Sequence, residues 1–159
     1  VVDMAAINYA GIRDAIESIL NSKIGNGGVL EGSHIYIEEE PQFGLMDQAI
    51  AIALFMDTRT APDGEQSISK GTRTRMYLRV TFWIVAFSLD SFRKACDMRD
   101  AIMGQLELVL MDNRTLNGTV STSWLNGGEL FSAKDPRNDA VFTALAEVVR
   151  TLDVSAINT

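Results

Sequence analysis

The sequence contains one cysteine and one histidine among its 159 residues. A single cysteine excludes a disulfide within the chain and fits a reducing compartment such as the cytoplasm. One histidine and one cysteine cannot make a Cys/His zinc set within one chain. Any Ser-His-Asp or Cys-His catalytic arrangement would have to use His34. Proline is scarce, with three residues, and charged residues are 22% against 47% apolar ones, which excludes a disordered chain. No apolar run approaches the roughly 18 residues that a membrane helix needs, so no membrane partner is expected. No basic stretch leads into an apolar one near the start, so no signal peptide is expected. Basic residues are also in the minority, 14 against 21 acidic ones, for a net charge of −7. That balance weighs against sequence-specific DNA binding.

What is present is enough apolar material for a core, and the length argues for a single domain over 1–159. Ala5, Tyr9, Ile12, Ile16, Ile19 and Leu20 recur at spacings of three and four, which predicts a helix. Asp3 is its expected cap, and Gly25-Asn26-Gly27-Gly28 its stop. Alternation predicts a short strand from His34 to Glu38 and a second from Gln48 to Thr58, the latter apolar on both faces. A polar loop at 60–72 is expected to be flexible, since it holds little that can be buried. Thr72 to Ser88 reads as one long strand, with Met76, Leu78, Val80, Phe82, Ile84 and Ala86 on one face. The opposite face is basic first and apolar later: Arg73, Arg75, Tyr77, Arg79, Thr81, Trp83, Val85, Phe87. Such a strand is about 53 Å long, longer than a domain about 40 Å across can cover. Either a bulge breaks it or its arginine-bearing half projects as an arm, and the arm is the favoured expectation because that half carries the arginines.

Asp90 is the expected cap of a second helix, Ser91 to Met111, with Phe92, Ala95, Cys96, Ile102, Met103, Leu106 and Leu110 inward. Arg93, Lys94, Asp97, Asp100 and Glu107 are expected on its wet side. Short strands follow at Thr119 to Leu125 and Glu129 to Ala133, separated by a turn at Gly127-Gly128. Val141 to Leu152 alternates as a strand, with helix as the alternative, and 153–159 reads as a frayed tail. The expected class is α+β: two helices packed on one mostly antiparallel sheet, in the order α-β-β-β-α-β-β-β, with a long projecting hairpin.

Catalytic and metal-binding residues are expected to be absent, as are cofactors. Cys96 lies in the apolar stripe, where cysteine behaves as a small hydrophobe. Only His34, Tyr36, Glu38 and Glu40 offer a seed for an enzyme site. Glu38, Glu39 and Glu40 read either as a solvated acidic edge that discourages strand aggregation or as a face for a cation or a basic partner. Between positions 59 and 79, Arg59, Lys70, Arg73, Arg75 and Arg79 outnumber Asp63 and Glu65, a net of +3 that leaves −10 on the rest of the chain. A positive arm on a negative body suits head-to-tail assembly of identical copies. The arginines are expected to meet Glu38, Glu39, Glu40 and Asp47 of an adjacent copy, or another acidic surface. Trp83, Val85 and Phe87 read as the apolar anchors of that interface, or equally as a second sheet face covered by a helix.

A first helix opening at Tyr9-Ala10-Gly11-Ile12-Arg13, a long hairpin, a second long helix, the Leu116-Asn117-Gly118-Thr119-Val120 turn and a closing strand follow one another across roughly Tyr9 to Val154. In this order and texture the chain resembles the tail terminator (tail completion) proteins of long-tailed bacteriophages. The resemblance implies a small non-enzymatic virion protein that assembles in the host cytoplasm. It implies a homohexameric ring in the tail-neck region that caps the tail tube, stops its polymerisation and joins tail to head. The implied partners are the tail tube protein, a neck or head-completion protein and the tape measure protein. DNA would pass through the lumen without sequence-specific binding. The alternatives are another phage neck or tail module, such as a connector or a tube subunit, and a small cytosolic α+β enzyme.

Overall fold

A computed structural model of the chain describes residues 7–41, 48–60, 75–134 and 144–157. The elements are α1 (Tyr9–Asn21), β1 (Ser33–Ile37), β2 (Gln48–Thr60), β3 (Arg75–Ser88), α2 (Phe92–Asp112), β4 (Thr122–Lys134) and β5 (Ala144–Ile157). Among the described residues the strands form one sheet in the order β1-β2-β3-β5-β4. β1 runs parallel to β2, and the remaining pairings are antiparallel. The class is α+β, as the alternation of strand and helix periods implies.

Alternation decides which side of each strand enters the core. The even positions of β2, β3 and β5, among them Ile52, Leu54, Val80, Phe82, Ile84, Val148, Leu152 and Val154, join Ile12, Ile16, Ile19 and Leu20 of α1 and Leu106, Val109 and Leu110 of α2 in one buried cluster. Both helices therefore lie on the same side of the sheet. α1 is capped by Asn8, whose Oδ1 accepts from the Gly11 amide at 2.9 Å; Asp3 lies outside the described residues. After α1 the chain doubles back, with the Leu30 amide donating to the Lys23 carbonyl at 2.9 Å. A Cβ on Gly28 would collide with that same carbonyl, so the turn requires glycine there. α2 is capped by Ser91, whose Oγ accepts from the Lys94 amide at 3.1 Å. Asp90, the expected cap, instead pairs with Lys94 Nζ at 2.8 Å.

Three sequence expectations need correction. First, the arginine-bearing half of β3 does not project as an arm over the described residues. β3 pairs with β5 along its whole length, from Arg75 opposite Ile157 to Ser88 opposite Ala144. On the other side it pairs with β2 from Tyr77 to Ser88, with a register shift between Met56 and Arg59. Leu78 and Val80 are consequently in the core. The length argument failed because β5 is as long as β3, 14 residues each. Second, the expected strands 119–125 and 129–133 are one strand, β4. Its register steps from Asn126 opposite Thr151 to Gly128 opposite Arg150, so Gly127 is an extra residue in a bulge rather than the centre of a turn. Third, the expected frayed tail is strand through Ile157: Val154 and Ala156 are fully buried. The strand reading of the last segment holds from Ala144 onward. The loop expected at 60–72 begins at the last residue of β2 and otherwise lies outside the described residues.

Candidate functional site

The side of the sheet away from α1 and α2 carries the odd positions of β2, β3 and β5. Register places its residues in rows that cross the strands. Tyr36 of β1 stands level with Ala53, Trp83 and Val149. The next row holds Phe55, Thr81, Thr151 and Asn126. Ala51 and Ala53 are fully buried, while Tyr36, Phe55, Trp83 and Val149 are half-buried. Among the described residues no helix lies on this face. It is apolar and aromatic at its centre, a pattern more typical of an interface than of a solvated surface.

Towards the start of β3 the face turns polar. Arg79 Nε donates to Asp153 Oδ1 at 3.0 Å, and Asn126 Nδ2 donates to Asp153 Oδ2 at 2.7 Å. Beyond them Tyr77 and Trp124 meet edge to face, with ring centroids 6.2 Å apart and planes at 80°. Arg79 thus has its acidic partner within its own chain, contributed by the very segment expected to fray.

The other expected interface residues are placed as follows. Trp83 is at the centre of the apolar face. Arg75 opens β3 opposite Ile157, and Arg59 lies in β2 past the register shift, opposite Leu78. Lys70, Arg73 and Asp47 lie outside the described residues. Glu38 is a local structural residue: it adopts φ 57°, its amide donates to the Leu54 carbonyl at 2.8 Å, and its Oε1 accepts from the Met56 amide at 3.0 Å. Glu39 and Glu40 are exposed beside it. His34 is exposed on β1, and Cys96 is half-buried against the core.

Sequence reasoning missed the polar contacts between α2 and β5. Arg99 is only 7% exposed. Its Nε donates to Asp100 Oδ1 at 2.9 Å and its guanidinium reaches the Glu147 carbonyl at 3.5 Å. Glu107, expected on the wet side, forms an ion pair with Arg150 at 3.1 Å. The signal was available: Arg99 is four residues after Ala95 and seven before Leu106, on the apolar stripe itself. Arg150 likewise occupies an even, core-facing position in β5.

Glu147 stands on the outer face opposite Val85. Burial raises its carboxyl above the ordinary carboxylate range. The folded state then favours the protonated form. The stability this group contributes is full at pH below its unfolded pKa and is lost as pH rises through the folded one. Glu147→Gln is therefore expected to raise the melting temperature at neutral pH, with the gain shrinking towards about pH 4. Melting curves across that range check it; a variant less stable than wild type at neutral pH would show that the carboxylate is used.

Where α2 ends against the edge strand β4, a depression of about 230 Å³ is lined by Leu110, Met111, Arg114, Ser123, Trp124, Leu125 and Leu152. Ser123 Oγ donates to the Arg114 carbonyl at 2.8 Å and fixes the chain at this corner. Met111 and Trp124 are half exposed, at 51% and 43%. Among the described residues no group of three or more His, Cys, Asp or Glu side chains is placed to hold a metal ion. No protein-family model matches the sequence, and no curated protein matches it.

Proposed function

We propose that the chain is the subunit of a ring that caps the tail tube of a long-tailed phage, ends tube polymerisation and offers the surface on which tail and head meet. The observation that carries this reading is the apolar outer face, with Tyr36, Phe55, Trp83 and Val149 half-buried and no described helix over them. A fold that packs both helices on one side and leaves aromatic side chains on the other is suited to contact with a second protein. The net charge of −7 agrees with a lumen that lets DNA pass without holding it. The role is structural and non-enzymatic, set in the tail-neck region of the virion after assembly in the host cytoplasm. The partners are further copies in a hexamer, the tail tube protein, and the neck or head-completion protein. The tape measure protein is a further partner, reached through the tube.

Light scattering of the purified protein at micromolar concentration tests this. A closed hexamer of 17.4 kDa subunits has a mass of roughly 104 kDa. A single species of that mass is the expected result. A series of open tubes of variable length would move the chain to the tube-subunit role. A monomer that also fails to bind tail tubes would overturn the reading.

A further inference from the structure

We infer that the depression at the β4 edge receives the Glu39-Glu40-Pro41 segment of a second copy, so that copies join head to tail. The inference rests on the ring reading and names the contact that would build the ring.

The depression is mostly apolar, and the exposed Arg114 is the one basic residue among those that line it. Leu110, Met111, Leu125 and Leu152 line it together with Ser123 and Arg114, while Trp124 borders it from β4 and keeps its ring on the outer face against Tyr77. The Arg114 guanidinium has no ion-pair partner among the described residues. The opposite edge of the sheet offers the complementary chemistry. Glu38 is held by the Met56 amide, but Glu39 and Glu40 are exposed, without partners among the described residues. Glu40 precedes Pro41, which restricts it to extended backbone.

The two features stand at the same level of the sheet. Glu38 bonds Met56, Met56 pairs with Val80, Val80 with Leu152, and Leu152 with Leu125. One row of the sheet therefore leads from the acidic segment at the β1 edge to two residues lining the depression at the β4 edge. Copies placed side by side bring Glu39 and Glu40 of one towards Arg114 of the next. The contact uses two different surfaces of each copy, so repetition closes into a ring when the rotation allows.

Charge reversal tests the contact. Arg114→Glu, and separately Glu39→Lys with Glu40→Lys, are expected to weaken self-association about tenfold or more. All these side chains are exposed, and circular dichroism verifies that each variant folds. Combining the three substitutions is expected to restore association, because the pairing is reversed rather than removed. Assembly of the separate variants at wild-type strength overturns this contact and leaves the ring reading standing, as does failure of the folded combination to recover. If the wild type is itself monomeric, the ring in solution fails and a labelled peptide spanning residues 36–42 probes the contact alone. Fluorescence polarisation should then show binding to wild type about tenfold tighter than to Arg114→Glu; no binding overturns the contact.

Discussion

Removing residues 153–159 is expected to leave a chain that does not reach a stable fold. The segment looks dispensable by position, but it completes the longest strand pairing in the sheet. Val154 and Ala156 are fully buried in the core between the sheet and the helices. Burying one valine is worth about 1.5–3 kcal/mol. The same residues pair with Arg75 to Arg79 on one side and with Thr122 to Trp124 on the other, and the Ser155 carbonyl accepts from the Ser121 amide at 3.0 Å. Each such hydrogen bond contributes a net of about 1 kcal/mol. Asp153 also holds Arg79 and Asn126. Together these losses exceed about 5 kcal/mol, against a total of roughly 5–15 kcal/mol for an ordinary domain. Truncation would also uncover the backbone of the first half of β3, an open edge that invites aggregation. Circular dichroism and urea unfolding of the truncated chain check this. A cooperative transition within a few degrees of wild type would show that the end of β5 adds little.

That segment also shows where the sequence was readable. Period-two alternation located β1, β2, β3 and β5, and period-3.6 spacing located both helices, because in each the buried side is nearly continuous in apolar residues. The caps were misplaced by one to several residues: Asp90 and Asp3 have the right chemistry, but so do Ser91 and Asn8, and only geometry chooses between them. The end of β5 was lost because Asp153, Ser155 and Asn158 look like a polar tail. Their neighbours Val154 and Ala156 become core only once β3 lies beside them. Gly127-Gly128 was read as a turn because a bulge and a turn share the same residue preference. The corner pocket was not readable at all. It joins Leu110 and Met111 to Leu125 and Leu152, and no local spacing connects those positions.

The last expectation separates the two ways in which the outer face can work. Trp83→Ser is expected to weaken assembly, or attachment to tail tubes, by about thirtyfold or more, the usual consequence of removing a central aromatic anchor worth about 2 kcal/mol. The free subunit should remain folded, because Trp83 is half-buried and its loss opens no cavity beneath the helices; a cost of about 1–2 kcal/mol is expected in its own unfolding. Arg79→Ala is the matched control four residues earlier on the same strand and face. Its charge is already met by Asp153 at 3.0 Å, in a pair where the arginine side chain is 45% exposed. Such a pair contributes at most about 1 kcal/mol to the fold, and its loss should change association about twofold at most. A dilution series followed by light scattering, with melting curves on each variant, reads both quantities. Assembly that survives Trp83→Ser and dissolves with Arg79→Ala would mean that the basic end of β3 makes the contact. In that event the arginine stripe, rather than the apolar centre of the sheet, is the surface that the partner reads.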